Sequence, residues 1–182
     1  NAIVRHKTSP RPDIMSDSNL EEGMTEAGFD FRDLVVFDLA NNHQGSVDHA
    51  LKVIDGVAEA ARRHDVRAAM KFQFRELDSF VHPSHRENSD NKHIPRFLAT
   101  RLDRKGFETL VDAVRDRGML AMCTPFDEDS VGVIEEMGFD IVKVASCSAK
   151  DWPLLERIAT AGRPVIFSTG GLALNDIDNL VS

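Results

Sequence analysis

The sequence predicts an α/β fold in which parallel strands alternate with helices. Short apolar runs alternate with helical patterns from Phe31 onward, which is typical of parallel strands joined by right-handed crossovers. Small polar residues follow these runs at their carboxyl ends, where parallel α/β folds bind ligands. The 182 residues are enough for one sizeable core and too few for two.

Five apolar runs of strand length predict the strands. In chain order they are "LVVFDLA" (34–40), "AAMKFQF" (68–74), "LAMCTP" (120–125), "IVKVAS" (141–146) and "PVIFSTG" (164–170). Apolar residues at helical spacing predict the intervening helices, with patterns at 47–61, 107–114, 131–137, 154–158 and 177–181. Gly138 and the run Gly162-Arg163-Pro164 follow two of these patterns and are typical signals for the end of a helix.

Two segments stand outside this alternation. Residues 1–30 mix Pro, Ser, Asp and Glu without apolar periodicity, so we expect a flexible N-terminal arm and a folded domain over residues 31–182. Residues 75–104 separate the second strand from its helix. A connection of this length is more often functional than a simple link, so we expect this segment to have a function.

Composition narrows the classes of function. The formal net charge of −8 argues against a general nucleic-acid surface. No apolar run approaches the roughly 20 residues of a membrane span, and the first stretch is too polar for a secretory signal. Cys123 and Cys147 lie in or beside apolar strands. They are interpreted as reduced core thiols of a cytoplasmic protein.

Two lysines interrupt apolar strands, where an unpaired charge is costly. Alternation puts Lys71 and Gln73 on one face of the second strand, and Lys143 lies in the middle of the fourth. One interpretation is a structural ion pair between Lys71 and Asp38. The other is a pocket in which both lysines point inward and meet a bound anion, because ammonium and hydroxyl donors suit a phosphate or carboxylate.

Polar side chains at the strand ends are further candidates for such a pocket. They are Asn42, His43, Gln73, Thr124, Ser146, Ser148 and Ser168. His43 follows two asparagines and precedes the turn at Gly45. It is interpreted either as a substrate contact or as a turn residue that hydrogen-bonds its own loop.

Four motifs, in order over residues 34–174, resemble the N-acetylneuraminate (sialic acid) synthase family. The first is "FDLANNHQG", which has the acidic residue and Asn-His-x-Gly turn of that family, and the second is "MKFQF". The third is "MCTPFDEDSVGVIEEMGFDIVKVAS", with its Thr-Pro-Phe-Asp and Lys-x-Ala-Ser strand ends, and the fourth is "LLERIATAGRPVIFSTGG". Legionaminic and pseudaminic acid synthases share these motifs, as do spore-coat polysaccharide proteins.

The resemblance implies the first five units of a (β/α)8 barrel, with the chain truncated before strands 6–8. It also implies a condensation of phosphoenolpyruvate with an N-acylated amino sugar aldehyde. The implied catalytic residues are Asp38, His43, Lys71 and Lys143, and the implied substrate-binding residues are Asn42, Gln73, Thr124, Ser146, Ser148 and Ser168. A divalent metal, Mn²⁺ or Mg²⁺, is implied with ligands on later strands and none in this chain. The resemblance further implies a homodimer.

Two positions depart from the family pattern. Asp38 stands where the family usually has Glu, and Cys147-Ser148 stands where it often has Gly-Glu. Two other functions therefore stay open: a Schiff-base aldolase that uses Lys71 or Lys143, and a non-catalytic truncated paralogue. Because an open half-barrel exposes two sheet edges, we expect either that the polypeptide continues beyond Ser182 or that another copy supplies the missing wall.

Overall fold

Five parallel strands form one sheet in the order β1-β2-β3-β4-β5. The structure is a computed structural model and describes residues 28–86 and 90–181, without the side chain of Val181. The strands are β1 (Leu34–Ala40), β2 (Arg67–Phe74), β3 (Leu120–Pro125), β4 (Ile141–Val144) and β5 (Val165–Phe167). All four neighbouring pairs are parallel, which confirms the predicted α/β class and strand order.

Helices connect the strands, as the apolar periodicity predicts. Within the described residues they are α1 (Val47–Arg63), α2 (Leu77–Phe80), α3 (His93–Ala99), α4 (Arg104–Asp116), α5 (Glu128–Glu136), α6 (Trp152–Ala159) and α7 (Leu174–Val181). Side-chain caps define several of their starts. Ser46, Asp103 and Asp127 each accept a backbone N–H from the first turn of the following helix, a common way to satisfy these donors. None of these helices within the described residues is long and apolar enough to cross a membrane.

The chain divides into two units, residues 1–31 and 32–182. In the first unit, the rings of Phe29 and Phe31 meet edge to face with centroids 4.7 Å apart. The predicted arm over residues 1–30 lies almost entirely outside the described residues, so it stays a prediction. The second unit contains the whole sheet and all the helices given above.

The two faces of the sheet have different neighbours. Side chains on the outer face pack with the helices in one apolar cluster, which includes Met70, Phe72, Phe74, Ala121, Cys123, Val142 and Val144. Ala69, Met122 and Ile141 are also fully buried but lie outside that cluster. Because strand side chains alternate, these three residues belong to the opposite, inner face of the curled sheet.

The described part of the long connection between β2 and α4 contains regular secondary structure. It contains α2, a 3-10 turn at Pro83–His85, and α3. Its last part lies against the turn after β1. A Cβ at Gly45 would come within 3.1 Å of the Ala99 carbonyl oxygen, and Gly45 has a positive φ of 75°, so only glycine fits this approach comfortably. The connection therefore lies beside the carboxyl ends of β1 and β2.

Candidate active site

Lys71 lies on the inner face of the sheet and is paired with Asp38. The strand register puts Lys71 opposite Asp38 on β1 and opposite Met122 on β3. The Lys71 Nζ atom is 3.0 Å from Asp38 Oδ2, and the lysine side chain is 14% exposed against 56% for the aspartate. The structure therefore shows the Lys71–Asp38 ion pair, and the contact of Lys71 with a bound anion stays a prediction. The carboxylate is the more exposed member of the pair.

Lys143 lies on the same face, two residues beyond Ile141 on β4. Its Nζ atom donates to Ser168 Oγ at 2.5 Å and to the Val144 carbonyl at 2.6 Å. Burial lowers the pKa of Lys143, the positive charge of Lys71 lowers it further, and Asp38 raises it. The positive charges of the two lysines therefore act against each other on the inner face. Such an arrangement is stabilised by any anion that binds between them.

Thr124 contributes a buried hydroxyl to the same face. It lies opposite Gln73 in the β2–β3 register, and the residue is only 2% exposed. Within the described residues its Oγ1 atom is buried and makes no hydrogen bond. A buried unpaired hydroxyl is unfavourable, so this atom marks a position where a ligand acceptor would be stabilised.

The strand-end serines and Asn42 differ in their surroundings. Ser146 is exposed at the start of a 3-10 turn after β4, whereas Ser148 is buried at the end of the same turn. Asn42 is exposed, and its side-chain amide donates to the Asp38 carbonyl at 3.4 Å. Ser168 follows β5 and accepts from Lys143. The structure therefore brings Ser168 to Lys143 and leaves Asn42 on the turn after β1.

The two cysteines differ in exposure. Cys123 is buried in the outer-face cluster, and burial raises the pKa of its thiol, which confirms the prediction of a core thiol. The prediction was wrong for Cys147, which is exposed. Cys147 lies on the 3-10 turn beyond the end of β4, where the chain has already left the core.

His43 is buried in the turn after β1. Its residue exposure is 1%, its Nδ1 atom accepts the Gly45 N–H at 3.1 Å, and its ring meets Phe107 edge to face. His43 therefore makes the hydrogen bond within its own loop that the turn interpretation expects. Its catalytic role stays a prediction. Burial lowers the pKa of His43, and the charge of His49 adds to this effect.

Replacing His43 with Gln should change how stability depends on pH. The folded pKa of His43 lies below its ordinary value of 6.5, so the unfolded chain takes up the proton first. Its stabilising contribution is present above the unfolded pKa and is lost as the pH falls from there to the folded pKa. The free energy of unfolding of the wild type, measured with denaturant, should therefore decrease as the pH is lowered from about 7.5 to about 5. This decrease should be less steep in His43→Gln. The exposed His82→Gln is the control; equal slopes in all three proteins would contradict the expectation.

Arg75 is a polar residue that the sequence analysis missed. It lines a cleft of about 360 Å³ at the carboxyl end of β2, together with Asn41, His43, Gln73, Phe97 and Thr100 among others. Its guanidinium carbon lies 4.3 Å from the ring centroid of Phe97 and 3.7 Å from that of Phe126. Burial lowers the pKa of Arg75 to about 10, so it keeps its charge at neutral pH. The only indication of this role in the sequence is that alternation along the chain puts Arg75 on the same face as Lys71 and Gln73.

A family model described as the NeuB family matches residues 57–182. This match covers more than half of the 182 residues. The chain belongs to the NeuB family. The match contains Lys71, Gln73, Thr124, Lys143 and the three candidate serines. It begins after Asp38, Asn42 and His43, so the candidates on β1 and its turn are outside it.

Solved NeuB-like structures support the same assignment. A candidate spore coat polysaccharide biosynthesis protein E from Chromobacterium violaceum is 44% identical with a TM-score of 0.80, covering 82% of this chain and 45% of that one. The N-acetylneuraminic acid (sialic acid) synthetase of Leptospira borgpetersenii, in complex with citrate, is 28% identical with a TM-score of 0.68, covering 82% and 48%. These similarities confirm that the fold is the N-terminal part of a (β/α)8 barrel.

One curated relative is a synthase of a different sugar acid. The N,N'-diacetyllegionaminic acid synthase of Campylobacter jejuni is 24% identical over 157 residues, which are 82% of this chain and 46% of the relative. The predicted resemblance to sialic acid synthases and their sister enzymes is therefore confirmed. The chain spans between 37% and 46% of the length of the curated relatives that it matches.

The described part of this NeuB-family chain does not form a metal site. No group of three or more His, Cys, Asp or Glu side chains that could hold a metal ion occurs among residues 28–86 and 90–181. Apart from the Asp38 carboxylate, which is paired with Lys71, the inner face offers ammonium, amide and hydroxyl groups. This donor set suits anions rather than cations.

Proposed function

We propose that the protein containing this chain condenses phosphoenolpyruvate with an N-acylated amino sugar aldehyde such as N-acetylmannosamine. The products are a nonulosonic (sialic-type) acid and phosphate. The observation that supports this most strongly is the pair Lys71 and Lys143 on one inner face, next to the unpartnered hydroxyl of Thr124. Membership of the NeuB family supports the same reaction class.

Different inner-face residues bind different parts of phosphoenolpyruvate. Lys71 and Gln73 hold one end of the substrate, while Lys143 with Thr124, Ser146 and Ser168 surrounds its phosphate and carboxylate. The Lys143 contact with Ser168 orients the ammonium before substrate arrives. Such preorganised donors stabilise negative charge without reorganisation during the reaction.

The reaction balances with water as the third reactant. The methylene carbon (C3) of phosphoenolpyruvate forms a bond to the aldehyde carbon, whose oxygen takes up a proton, and a cation is left at C2, the carbon that carries the phosphate oxygen. Water adds to C2, and the bond between C2 and the phosphate oxygen then breaks, so that phosphate leaves and C2 becomes a ketone carbon. Of the two protons that water gives up, one balances the proton taken up by the aldehyde oxygen and the other leaves with phosphate. Because the lysines neutralise a multiply charged substrate, they keep it bound in a low-dielectric site where ammonium–anion contacts are strong.

Divalent metal dependence, with Mn²⁺ or Mg²⁺, is part of the proposal by family resemblance. Such a metal would act as a Lewis acid on the aldehyde. Since the described residues contain no fitting ligand group, none of the steps above is routed through it. A homodimer and a cytoplasmic location likewise stay predictions.

Phosphate release tests the proposed function. The full-length protein should release phosphate from phosphoenolpyruvate only when an N-acylated amino sugar is present, with N-acetylmannosamine as the first acceptor. The assay is run with Mn²⁺, with Mg²⁺ and with EDTA. No release with any amino sugar under any of these conditions would contradict the proposal, and release without acceptor would indicate simple hydrolysis.

A Schiff-base aldolase is the second candidate, and the lowered pKa of Lys143 favours it. A lysine beside another cation is a better nucleophile at neutral pH, because more of it is unprotonated. Borohydride reduction in the presence of a keto substrate would attach that substrate to Lys143 in an aldolase. In the synthase no covalent adduct forms. A paralogue without activity would bind phosphoenolpyruvate and neither release phosphate nor form the adduct.

A further inference from the structure

Arg75 is held in place by three separate elements. Its guanidinium lies between the rings of Phe97 on α3 and Phe126 after β3, with Phe80 of α2 at 5.9 Å. Aromatic faces attract a guanidinium through their quadrupole. The side chain therefore connects the segment 75–104 to the carboxyl end of β3.

The backbone next to Arg75 is anchored as well. The N–H of Glu76 donates to Asp127 Oδ2 at 3.0 Å, and Asp127 Oδ1 accepts the N–H of Ser130 at 2.7 Å as the cap of α5. One carboxylate thus joins the end of β2 to the start of α5. With both its backbone and its side chain fixed, Arg75 has little freedom to turn away.

The free edge of the guanidinium faces Gln73. Arg75 Nη1 and Nη2 are each 3.3 Å from Gln73 Oε1. A guanidinium has only donors, so the amide oxygen of Gln73 must face it. The amide NH₂ group of Gln73 then points away from Arg75. It lies on the strand face that carries Lys71, and Gln73 is opposite Thr124 in the strand register.

The charge of Arg75 is not balanced by an ion pair in the described part of the chain. Within the described residues no carboxylate lies in ion-pair distance of it, and its Nε atom is buried without a hydrogen-bond partner. An apolar chain of similar length would fill the same space without the cost of burying a cation. This makes a role outside stability the better explanation for an arginine here.

We infer that Arg75 is a positioning residue, which fixes the Gln73 amide so that its NH₂ group faces the bound substrate. The inference rests on the proposed function for the identity of that substrate. It assigns a role to the segment 75–104 as well, because Phe97 of α3 holds Arg75 over the amide. The segment thereby sets the orientation of a substrate-binding side chain that lies outside it.

A double-mutant cycle in the full-length protein tests this inference. The variants are Arg75→Met, Gln73→Ala and the combination of both, and Arg117→Met is the matched control, since Arg117 pairs with Asp55 and lies outside the cleft. Arg75→Met should raise the KM for phosphoenolpyruvate about tenfold while the protein stays folded at the assay temperature. In the Gln73→Ala background the same change should alter KM less than about twofold. Arg117→Met should leave KM unchanged.

Two results would overturn the inference while the proposed function stands. One is an Arg75→Met protein with wild-type KM, and the other is an equal effect of Arg75→Met in both backgrounds. If the wild type releases no phosphate, the proposed function fails. The contact between Arg75 and Gln73 is then tested by the free energies of unfolding of the same variants. The free energies of unfolding should then be non-additive between positions 73 and 75; additivity would overturn the positioning role.

Discussion

Replacing Lys143 with Met should reduce kcat/KM for phosphoenolpyruvate by about 10²–10³-fold, the usual cost of losing one preorganised charge-stabilising donor. The side chain reaches Ser168 Oγ and the Val144 carbonyl from the inner face. Methionine keeps the length of the chain but loses the charge and both hydrogen bonds. Initial rates of phosphate release across a range of phosphoenolpyruvate concentrations measure the effect.

Two further variants sharpen this result. Lys105→Met on the exposed side of α4 removes a lysine without touching the inner face, so its activity should match the wild type. Lys143→Arg keeps a charge at every accessible pH. Because burial and Lys71 lower the pKa of Lys143, phosphoenolpyruvate binding by the wild type should weaken as the pH rises toward that pKa, and Lys143→Arg should show a weaker decline. Near-normal turnover in Lys143→Met would contradict the assignment.

Replacing Leu110 with Ala should lower the free energy of unfolding by about 2–5 kcal/mol. Leu110 lies in α4, is fully buried, and belongs to the cluster between the helices and the outer face of the sheet. The substitution removes apolar contact and leaves a cavity that the packed cluster cannot close completely. Chemical denaturation followed by circular dichroism measures the change.

The same substitution at Leu174 is the matched control. Leu174 begins α7 and is 80% exposed, so Leu174→Ala should change the free energy of unfolding by less than about 0.5 kcal/mol. Equal losses at the two positions would show that the outer-face cluster does not stabilise the fold in the way described here.

The sequence predicted the sheet well because its signals are local. Each strand is a short apolar run, and each following helix repeats its apolar residues at helical spacing, so neighbouring residues decide the element. Alternation along β2 was enough to put Lys71 and Gln73 on one face. The strand register then brings Lys71 to Asp38, the pairing that the residue pattern had left as one of two interpretations.

The surroundings of the site could not be predicted because they join distant residues. Arg75, Phe97 and Phe126 meet only when α3 and the β3–α5 turn come together, and no spacing within the sequence encodes that contact. The exposure of Cys147 was missed for a similar reason. Its position beside an apolar run suggested the core, but β4 ends at Val144 and the chain then turns outward.

A crystal structure of the full-length protein with phosphoenolpyruvate is the most direct test of the central claim, that the inner face binds this anion. We expect phosphate and carboxylate oxygens within hydrogen-bond distance of Lys71 Nζ, Lys143 Nζ and Thr124 Oγ1. Phosphoenolpyruvate bound elsewhere, with Thr124 Oγ1 still unpaired, would contradict it.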